Sequence, residues 1–257
     1  MSDIKTEKEI QSMRKGGHIL AEILNELAVM AKPGLTTKAL SQKTKELIDR
    51  NGVKASFLGY RKYPDVICLS VNNQCVHTPG SEYVLQEGDL LKLDFGILHE
   101  GLHTDAARTV LVTNLDKEAV KEKLEYKERR RLITVTRECL EKAISMCRQD
   151  GYLGDIGYVI QQHAEKNGFS VAHELGGHGI GKELHEEPWI ANVGKPHSGV
   201  KLKVGMVLAI EPIINMGTGD IRDGKDGFTY ETADGSFSAH FEHTVVITEN
   251  GPEVLTT

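Results

Sequence analysis

The stretch Leu90-Leu-Lys-Leu-Asp94-Phe-Gly-Ile-Leu-His-Glu-Gly-Leu-His-Thr-Asp105-Ala-Ala-Arg-Thr-Val-Leu-Val-Thr113 decides the fold. Its two apolar segments flank His99-Glu100-Gly101, a pattern that predicts an antiparallel hairpin. With the turn centred between His99 and Glu100, Asp94 faces Asp105 across the strands. Facing carboxylates with Cβ atoms about 5 Å apart repel by roughly 3 kcal/mol at an effective dielectric constant near 20. The hairpin therefore predicts a bound cation, with a metal ion as the natural candidate, unless the register slips by one residue and one aspartate faces solvent.

The composition is that of an ordinary globular protein. The chain has 257 residues, and a hydrophobic content of 39% is enough for a buried core. Its four cysteines form no CxxC pair, so neither a zinc ribbon nor a dithiol redox site is expected. A net charge of -6 argues against a dedicated nucleic-acid binder. The start lacks the apolar region of a signal peptide and no apolar run could span a membrane, so we expect a cytoplasmic protein.

Helical spacing predicts elements on both sides of the hairpin. Thr6-Glu-Lys-Glu9 has the spacing of a capping box before a first helix that stops at Lys32-Pro33-Gly34, and Thr36 or Thr37 caps a second. Further predictions are a short strand over 66–71, a helix over 132–146 and a helix from about 155 to 167. The charged stretch 114–131 is predicted as a solvated linker or the polar start of a helix.

The chain also repeats itself. Gly88-Asp-Leu-Leu-Lys-Leu-Asp94 aligns with Gly205-Met-Val-Leu-Ala-Ile-Glu211, and Arg108-Thr-Val-Leu-Val-Thr113 aligns with His243-Thr-Val-Val-Ile-Thr248. Glu242 lies two strand positions beyond the equivalent of Asp105, so the two carboxylates keep the same side-chain parity. A repeat of this length predicts two similar halves packed about an approximate twofold axis.

A pseudo-symmetric centre would collect four carboxylates, those of Asp94, Asp105, Glu211 and Glu242. Four acids without a counter-charge are strongly disfavoured, because each raises the cost of ionising the next. Two divalent cations remove the problem and can activate a shared water. A mixed shell of oxygen and imidazole ligands suits Mn, Fe, Co or Zn better than Mg or Ca.

We expect the imidazole ligand to come from Gly176-Gly-His178-Gly-Ile-Gly181, where four glycines would let the backbone wrap closely around whatever the ring contacts. The segment does not match the phosphate-binding GxGxxG pattern and does not pass from a strand into a helix. The zinc-binding HExxH pattern does not fit either, since His173 and His178 are five positions apart. A hinge loop with a bystander histidine remains an alternative. His77 and His185 stand in unusual contexts, but each alone is more often a surface residue than a catalyst.

The sequence resembles the type I methionine aminopeptidases of bacteria over essentially the whole chain. The motifs that carry the resemblance are Val76-His77-Thr-Pro-Gly80, Lys92-Leu-Asp94-Phe-Gly96, Asp105-Ala-Ala-Arg-Thr109, Gly177-His178-Gly-Ile-Gly181, His185-Glu-Glu-Pro188, Ile210-Glu211-Pro212 and Phe241-Glu242-His-Thr244. Each is weak alone, but seven in order are highly specific. The resemblance implies an α+β protein with the pita-bread (creatinase/aminopeptidase) fold, two pseudo-symmetric α/β halves around a central antiparallel sheet. We expect a single catalytic domain over 1–257, with halves of about 1–114 and 131–257 joined by the charged connection 114–131.

The resemblance further implies a dinuclear metal site and hydrolysis of the first peptide bond by a metal-bridging water or hydroxide. The implied ligands are Asp94, Asp105, His178, Glu211 and Glu242. Glu211 would shuttle the proton, His185 would hydrogen-bond the carbonyl region and His77 would assist near the leaving amide. Family-like positions for the methionine pocket are Tyr60, Tyr63, Cys68 and Phe228, with Phe57 narrowing its entrance. Phe228 stands where Trp is common and Leu184 where Phe is common, which would alter the shape of the pocket.

The implied substrates are nascent polypeptide N-termini with a small second residue. They imply transient contact with the ribosome, which no sequence feature demonstrates, and we expect a monomer without membrane or specific nucleic-acid partners. Two alternatives stay open. Xaa-Pro aminopeptidases and prolidases share the five ligands but normally carry an extra N-terminal domain, of which this sequence shows no trace. A non-catalytic pita-bread binding protein would be expected to have lost ligands.

Overall fold

The structure, a computed structural model, describes residues 4–257 without the side chains of Lys117 and Lys121. The α-helices in this range are α1 (Glu7–Met30), α2 (Thr37–Arg50), α3 (Lys117–Glu122), α4 (Lys127–Met146) and α5 (Leu153–Lys166). The strands are β1 (Lys54–Ala55), β2 (Cys68–Val71), β3 (Gln74–Val76), β4 (Leu90–His99), β5 (Leu102–Leu111), β6 (Ser170–Val171), β7 (Gly176–Gly179), β8 (Glu186–Ala191), β9 (Val207–Ile210), β10 (Ile213–Asn215), β11 (Ile221–Asp223), β12 (Tyr230–Thr232), β13 (Ser238–His240), β14 (Glu242–Thr248) and β15 (Gly251–Val254). Of the helices described, none has both the length and the apolar character that a membrane span requires.

The first two helices begin where their capping residues predict. The Thr6 side chain accepts a hydrogen bond from the Glu9 backbone N–H while the Glu9 carboxylate accepts one from the Thr6 backbone, which is the predicted capping box. Thr36 rather than Thr37 caps α2, because its side chain accepts the backbone N–H of Ala39. The apolar faces of α1 and α2 pack in one cluster of buried residues, and those of α4 and α5 pack in a second.

The main sheet is arranged symmetrically around the predicted hairpin. Its strand order is β1-β4-β5-β14-β9-β7-β8, with β2 also pairing β4 and β15 also pairing β14. In the sequence repeat, β4 corresponds to β9 and the ends of β5 and β14 correspond to each other. The central order β4-β5-β14-β9 therefore places the approximate twofold axis between β5 and β14. Two three-stranded sheets, β13-β10-β6 and β11-β12-β3, lie beside it.

The register of the β4–β5 hairpin corrects one prediction. Asp94 pairs with Ala107, and Asp105 pairs with Gly96, so the two aspartates are diagonal neighbours rather than directly opposed. The two turn residues are Glu100 and Gly101, whose φ angles are 50° and 82°. A two-residue turn with both residues left-handed matches the twist of the strands, and it shifts the pairing by two positions. Because the shift is even, both carboxylates remain on one face.

Other boundaries differ modestly from the predictions. The strand predicted over 66–71 is ordered as Cys68–Val71, and the helix predicted from about 155 begins at Leu153. Within the charged stretch 114–131, α3 and a 3-10 turn lead into α4, so the polar start of a helix describes its last part. A fully solvated linker is wrong for Tyr126, which is 1% exposed and whose hydroxyl donates to Glu87 at 3.1 Å.

Candidate metal centre

Three strands bring carboxylates to one face at the middle of the sheet. Ala107 on β5 pairs with Asp94 on one side and with Glu242 of β14 on the other. Asp105 lies two residues from Ala107 and thus on the same face. Glu211 directly follows β9, the strand next to β14. The small side chain of Ala107 leaves open the space that the surrounding carboxylates share.

His178 faces this group from β7. Its Nδ1 donates a hydrogen bond to the Gly179 carbonyl at 2.8 Å, which leaves the Nε2 lone pair free. Nε2 lies 3.6 Å from Glu211 Oε1, and ligand atoms of Asp105, His178 and Glu242 all lie within 4.8 Å of one another. The alternative of a hinge loop is wrong, because His178 belongs to a strand paired on both sides.

The glycines around His178 serve the packing of strands rather than a close approach to a ligand. A Cβ added to Gly177 would lie 2.1 Å from the Ala209 carbonyl oxygen, and one added to Gly179 would lie 2.3 Å from the Glu187 carbonyl oxygen. Larger residues would push β7 away from β9 and β8. The glycines therefore fix where the His178 ring stands relative to the carboxylates.

Burial makes the carboxylates hard to ionise in the absence of a cation. Burial, and then the charge of Asp105, raises the pKa of Asp94 well above its usual value. Burial raises the pKa of Asp105 from 3.8 to about 7, and it raises the pKa values of Glu211 and Glu242 with further contributions from their acidic neighbours. Burial lowers the pKa of His178 to about 4, so its ring is neutral at physiological pH.

Two threonine hydroxyls bond β5 to the strands β13 and β14. Thr244 Oγ1 accepts the Asp105 N–H at 2.9 Å and donates to the Asp105 carbonyl at 2.8 Å. Thr109 Oγ1 accepts the His240 N–H at 2.8 Å and donates to the His240 carbonyl at 2.7 Å. The two hydroxyls flank the Glu242–Ala107 pair, and that of Thr244 holds the backbone of one predicted ligand, Asp105.

The structure brings all the predicted site residues to one cavity of about 260 Å³. Those in its wall are Phe57, Tyr60, Tyr63, Cys68, His77, Asp94, Asp105, His178, His185, Glu211, Phe228 and Glu242. Tyr63 packs edge-on between Phe57 and Phe228, with ring centroids 6.4 and 5.7 Å away, and its hydroxyl donates to the Ile67 carbonyl at 3.1 Å. Phe57, which was expected to narrow the entrance of the pocket, lies in the wall of the cavity and is 9% exposed. The cavity has a carboxylate end and an aromatic end.

Two further histidines, His77 and His185, line the same cavity. The His185 ring lies edge-on to that of His178 with centroids 4.2 Å apart, and its Nδ1 is 2.8 Å from the Tyr60 hydroxyl. Its pKa is lowered to about 3, first by burial and then by neighbouring cationic groups. His77 has a left-handed φ of 61°, and burial lowers its pKa to about 4. A non-glycine residue in this conformation is often found at functional sites.

Sequence reasoning missed two buried residues beside the centre. His240 is 1% exposed, and its Nε2 lies 3.5 Å from Glu211 Oε2. Lys92 is 1% exposed, and its Nζ donates to the carbonyls of Asn72 at 2.7 Å and Ser238 at 3.1 Å. Burial lowers the pKa of Lys92 to about 7. The sequence signal for Lys92 was a lysine inside an otherwise apolar strand. The signal for His240 was its position in the repeat, where it is equivalent to Asp105.

The residues present fit a divalent metal site. Asp105 Oδ1 and Glu242 Oε1 are buried and have no hydrogen-bond partner among the described residues. Buried polar atoms are normally paired, and clustered carboxylates need a positive charge to ionise together. The five-residue donor set, four carboxylates and one neutral imidazole, supplies both the charge and the ligand atoms that such a cation requires.

Comparison with known proteins places the chain in a family. Residues 11–249 match the model of metallopeptidase family M24. The methionine aminopeptidase of Clostridium perfringens (strain 13 / Type A) is 46% identical over 253 residues, 98% of each chain, and methionine aminopeptidase 1 of Bacillus subtilis (strain 168) is 41% identical over 253 residues, also 98% of each. The crystal structure of a methionine aminopeptidase from Thermotoga maritima superposes with a TM-score of 0.93, at 41% identity and complete coverage of both chains.

More distant structures share the fold alone. A prolidase from Pyrococcus furiosus superposes with a TM-score of 0.75 at 22% identity, over 99% of this chain and 65% of its own. The predicted α+β pita-bread fold is thereby confirmed, and the prolidase-like alternative is not favoured. The protein depends on divalent metal, as a metallopeptidase. From its full-length match, the chain belongs to metallopeptidase family M24 and, within it, to the methionine aminopeptidases.

Proposed function

We propose that this protein removes the N-terminal methionine of newly made proteins when the second residue is small. The observation that carries the proposal is the cavity itself, which joins the candidate metal ligands to an aromatic pocket. Its relatives over the full chain are methionine aminopeptidases. A non-catalytic binding protein would not need the buried, unpaired carboxylate atoms of Asp105 and Glu242.

We propose two divalent ions for the site, held by Asp94, Asp105, His178, Glu211 and Glu242. Mn, Fe, Co and Zn all tolerate this shell, and cellular availability would decide among them. When bound, such ions polarise a carbonyl oxygen and lower the pKa of a coordinated water. Titration of the metal-free protein by calorimetry should give a stoichiometry of two, and a stoichiometry of one would contradict the dinuclear assignment.

Glu211 is the proposed proton carrier. Its carboxylate lies between the rings of His178 and His240, with the two contacts at 3.6 and 3.5 Å on different oxygens. Burial and the charges of Asp94 and Asp105 raise its pKa in the metal-free protein. It would take a proton from the attacking water and deliver it to the leaving amine.

His185 and His77 are the proposed groups on the substrate side. When the Tyr60 hydroxyl donates to His185 Nδ1, the neutral ring carries its hydrogen on Nε2, from which it can donate to the scissile carbonyl. His77 lies beside Tyr230, with ring centroids 5.6 Å apart, and it would assist near the leaving amide. The lowered pKa values of both rings keep them neutral donors and acceptors at physiological pH.

The aromatic end of the cavity is the proposed methionine pocket. A thioether side chain is flexible and packs favourably against aromatic rings, and Tyr63 and Phe228 line this end of the cavity. Cys68 pairs with Asp94 across β2 and β4, so the pocket begins directly beside the carboxylates. Leu184, 2% exposed, also lines this cavity. This arrangement would place the first side chain of a peptide in the pocket and its first peptide bond at the ligands.

The cellular setting is also a proposal. We infer a cytoplasmic monomer, with residues 1–257 forming a single catalytic domain, that meets nascent chains at the ribosome through transient contact. Sedimentation velocity should give a single species of about 28.4 kDa. Co-sedimentation with ribosomes at physiological salt tests the contact, and a complete lack of binding would count against it.

Peptide cleavage tests the proposed activity. Metal-free protein is titrated with Mn and then with Fe, and release of the first residue is measured from Met-Ala-Ser and from Ala-Pro-Ser. Metal-dependent release of methionine alone is the expected result. Release of alanine from the proline peptide would instead indicate an Xaa-Pro aminopeptidase, and no release from either peptide by protein that binds metal would revive the non-catalytic alternative.

The role of Glu211 is tested by Glu211→Gln. The variant should fold, because an amide of the same size replaces a carboxyl group whose pKa is raised. Its kcat should fall by about 10²-fold or more, since general acid–base groups typically contribute that much. The matched control is Glu249→Gln, which changes an exposed carboxylate in the turn after β14. Near-normal turnover by Glu211→Gln would contradict the assignment.

A further inference from the structure

A second groove of about 520 Å³ opens beside the catalytic cavity. The wall that the two share is formed by Arg61, His77, His178, His185, Glu211 and Tyr230. Tyr63 and Phe228, at the proposed methionine pocket, line the catalytic cavity and not this groove. A peptide whose first side chain enters the pocket can therefore pass over the shared wall and leave along the groove.

Trp189 forms the floor of the groove directly beside a candidate metal ligand. It pairs with His178 across β7 and β8. Directly opposed residues point to the same face, with Cβ atoms about 5 Å apart. The indole lies over Gly176, where an added Cβ would stand 3.1 Å from Cζ2 of the ring. Although it lines a groove, the tryptophan is 53% exposed, so one face of a large aromatic ring is open to a ligand.

Two carboxylates give the groove a negative charge. Glu187 precedes Trp189 by two positions on β8, and both side chains line the groove and are exposed. Glu187 and Glu174 line the groove, are exposed, and form no ion pair among the residues described. Glu186 differs, because the buried ammonium of Lys5 neutralises it at 2.5 Å. Arg61 also lines the groove, on the wall shared with the catalytic cavity, where its guanidinium lies over the Tyr60 ring. Its charge offsets one of the two carboxylates, so the balance of these three groups is still negative by one.

We propose that this groove favours substrates with Lys or Arg at the third or fourth residue, counted from the methionine. The proposal rests on the proposed function and deepens it. An extended peptide advances about 3.3 Å per residue, so its third and fourth residues lie within reach of a ring one strand away from His178. The methylene groups of a cationic side chain can cover the indole while its charge faces the ring and the two carboxylates.

A comparison of matched peptides tests the preference for a cationic third residue. For each protein, kcat/KM is measured with Met-Ala-Lys-Ala, Met-Ala-Glu-Ala and the neutral reference Met-Ala-Ser-Ala. The lysine and glutamate values are each expressed relative to the neutral peptide, and the ratio of lysine to glutamate is then compared between proteins. We expect a ratio of about tenfold in favour of lysine at low salt, which falls toward one in 0.5 M salt as the charges are screened. The double variant Glu174→Gln/Glu187→Gln should reduce the ratio to about twofold. The control Glu165→Gln/Glu249→Gln, at exposed sites outside the groove, should keep it.

Trp189 provides a readout that does not depend on turnover, because it is the one tryptophan of the chain. The metal-loaded protein is titrated with the leaving-group peptides Ala-Lys-Lys-Ala and Ala-Glu-Glu-Ala while indole emission is recorded. A saturable change in emission at about tenfold lower concentration of the lysine peptide supports the groove.

Equal midpoints for the two peptides, or no response to the lysine peptide, would overturn the proposal. A kinetic ratio that the groove variants leave unchanged would do the same. Failure to release methionine from all three substrates would contradict the proposed function instead, and the emission titration would still decide the groove.

Discussion

Asp105→Asn should stabilise the metal-free protein and should do so increasingly as the pH rises. Asp105 is 3% exposed, and its Oδ1 is one of the buried carboxylate atoms without a partner. Burial raises its pKa from 3.8 to about 7. Asparagine has the same shape and no ionisation, so the substitution removes the charge penalty while it removes a proposed metal ligand.

The sign of this pH dependence follows from which state, folded or unfolded, keeps the Asp105 proton to higher pH. The unfolded chain releases the Asp105 proton near pH 3.8, whereas the folded metal-free protein keeps it until about pH 7. The folded state therefore loses stability as the pH rises between these values, and the loss persists above them. At 1.36 kcal/mol per pKa unit, the penalty is about 1 kcal/mol at pH 4.5 and about 4 kcal/mol at pH 8. Relative to wild type, the variant should gain about 3 kcal/mol across this range.

Urea unfolding of the metal-free proteins at pH 4.5, 6 and 8, followed by circular dichroism, measures this difference. Any constant cost of burying the amide cancels, because the comparison is between pH values. Asp223→Asn, at an exposed position on β11, is the matched control and should show no such trend. With metal added at pH 8, the order should reverse, since wild type gains binding energy that the variant has lost. A difference between Asp105→Asn and wild type that is independent of pH would refute the reasoning.

Three further substitutions have specific outcomes. Thr244→Val should lower the free energy of unfolding by about 1 to 3 kcal/mol in urea titrations, because it leaves the N–H and carbonyl of Asp105 unpaired, and Thr244→Ser should restore most of the loss. Gly177→Ala should weaken metal binding by about tenfold or more in calorimetry, since its Cβ would meet the Ala209 carbonyl and move His178. Unchanged affinity would contradict that account. Tyr60→Phe should lower kcat/KM about tenfold through the lost hydrogen bond to His185 and leave the metal content intact, so a parallel loss of metal would indicate a different role.

The hairpin shows how an imprecise register can still predict the site. The sequence His99-Glu100-Gly101 marks the turn, but it lacks the Asn-Gly or Asp-Gly pair that would define the two central residues. The structure uses Glu100 in a left-handed conformation that few side chains adopt, which propensity does not predict. Side-chain parity survives a shift of two, and for that reason Asp94 and Asp105 were correctly assigned to one face.

The reason for the glycines around His178, by contrast, could not be predicted from the sequence. Their number predicts an unusual backbone but not its cause, because the atoms that exclude a side chain at Gly176, Gly177 and Gly179 belong to β8 and β9. Pairings between strands that lie far apart in the sequence depend on the whole topology. The sequence thus singled out His178 as a candidate ligand by its residue type and setting, whereas the reason for that setting required the assembled sheet.

The approximate twofold axis shows how the sequence repeat could have predicted His240 as a residue of the site. Thr109 and Thr244 are equivalent in the two halves, and their hydroxyls bond the backbones of His240 and Asp105, which are therefore equivalent too. The repeat alignment already placed Glu242 two positions beyond the equivalent of Asp105, and that equivalent is His240. The first half thus uses a carboxylate where the second uses an imidazole, and Ala107 stands opposite Glu242. Because burial lowers the pKa of His240 to about 3, this ring adds no charge beside Glu211, whereas a fifth carboxylate there would require further positive charge to balance it.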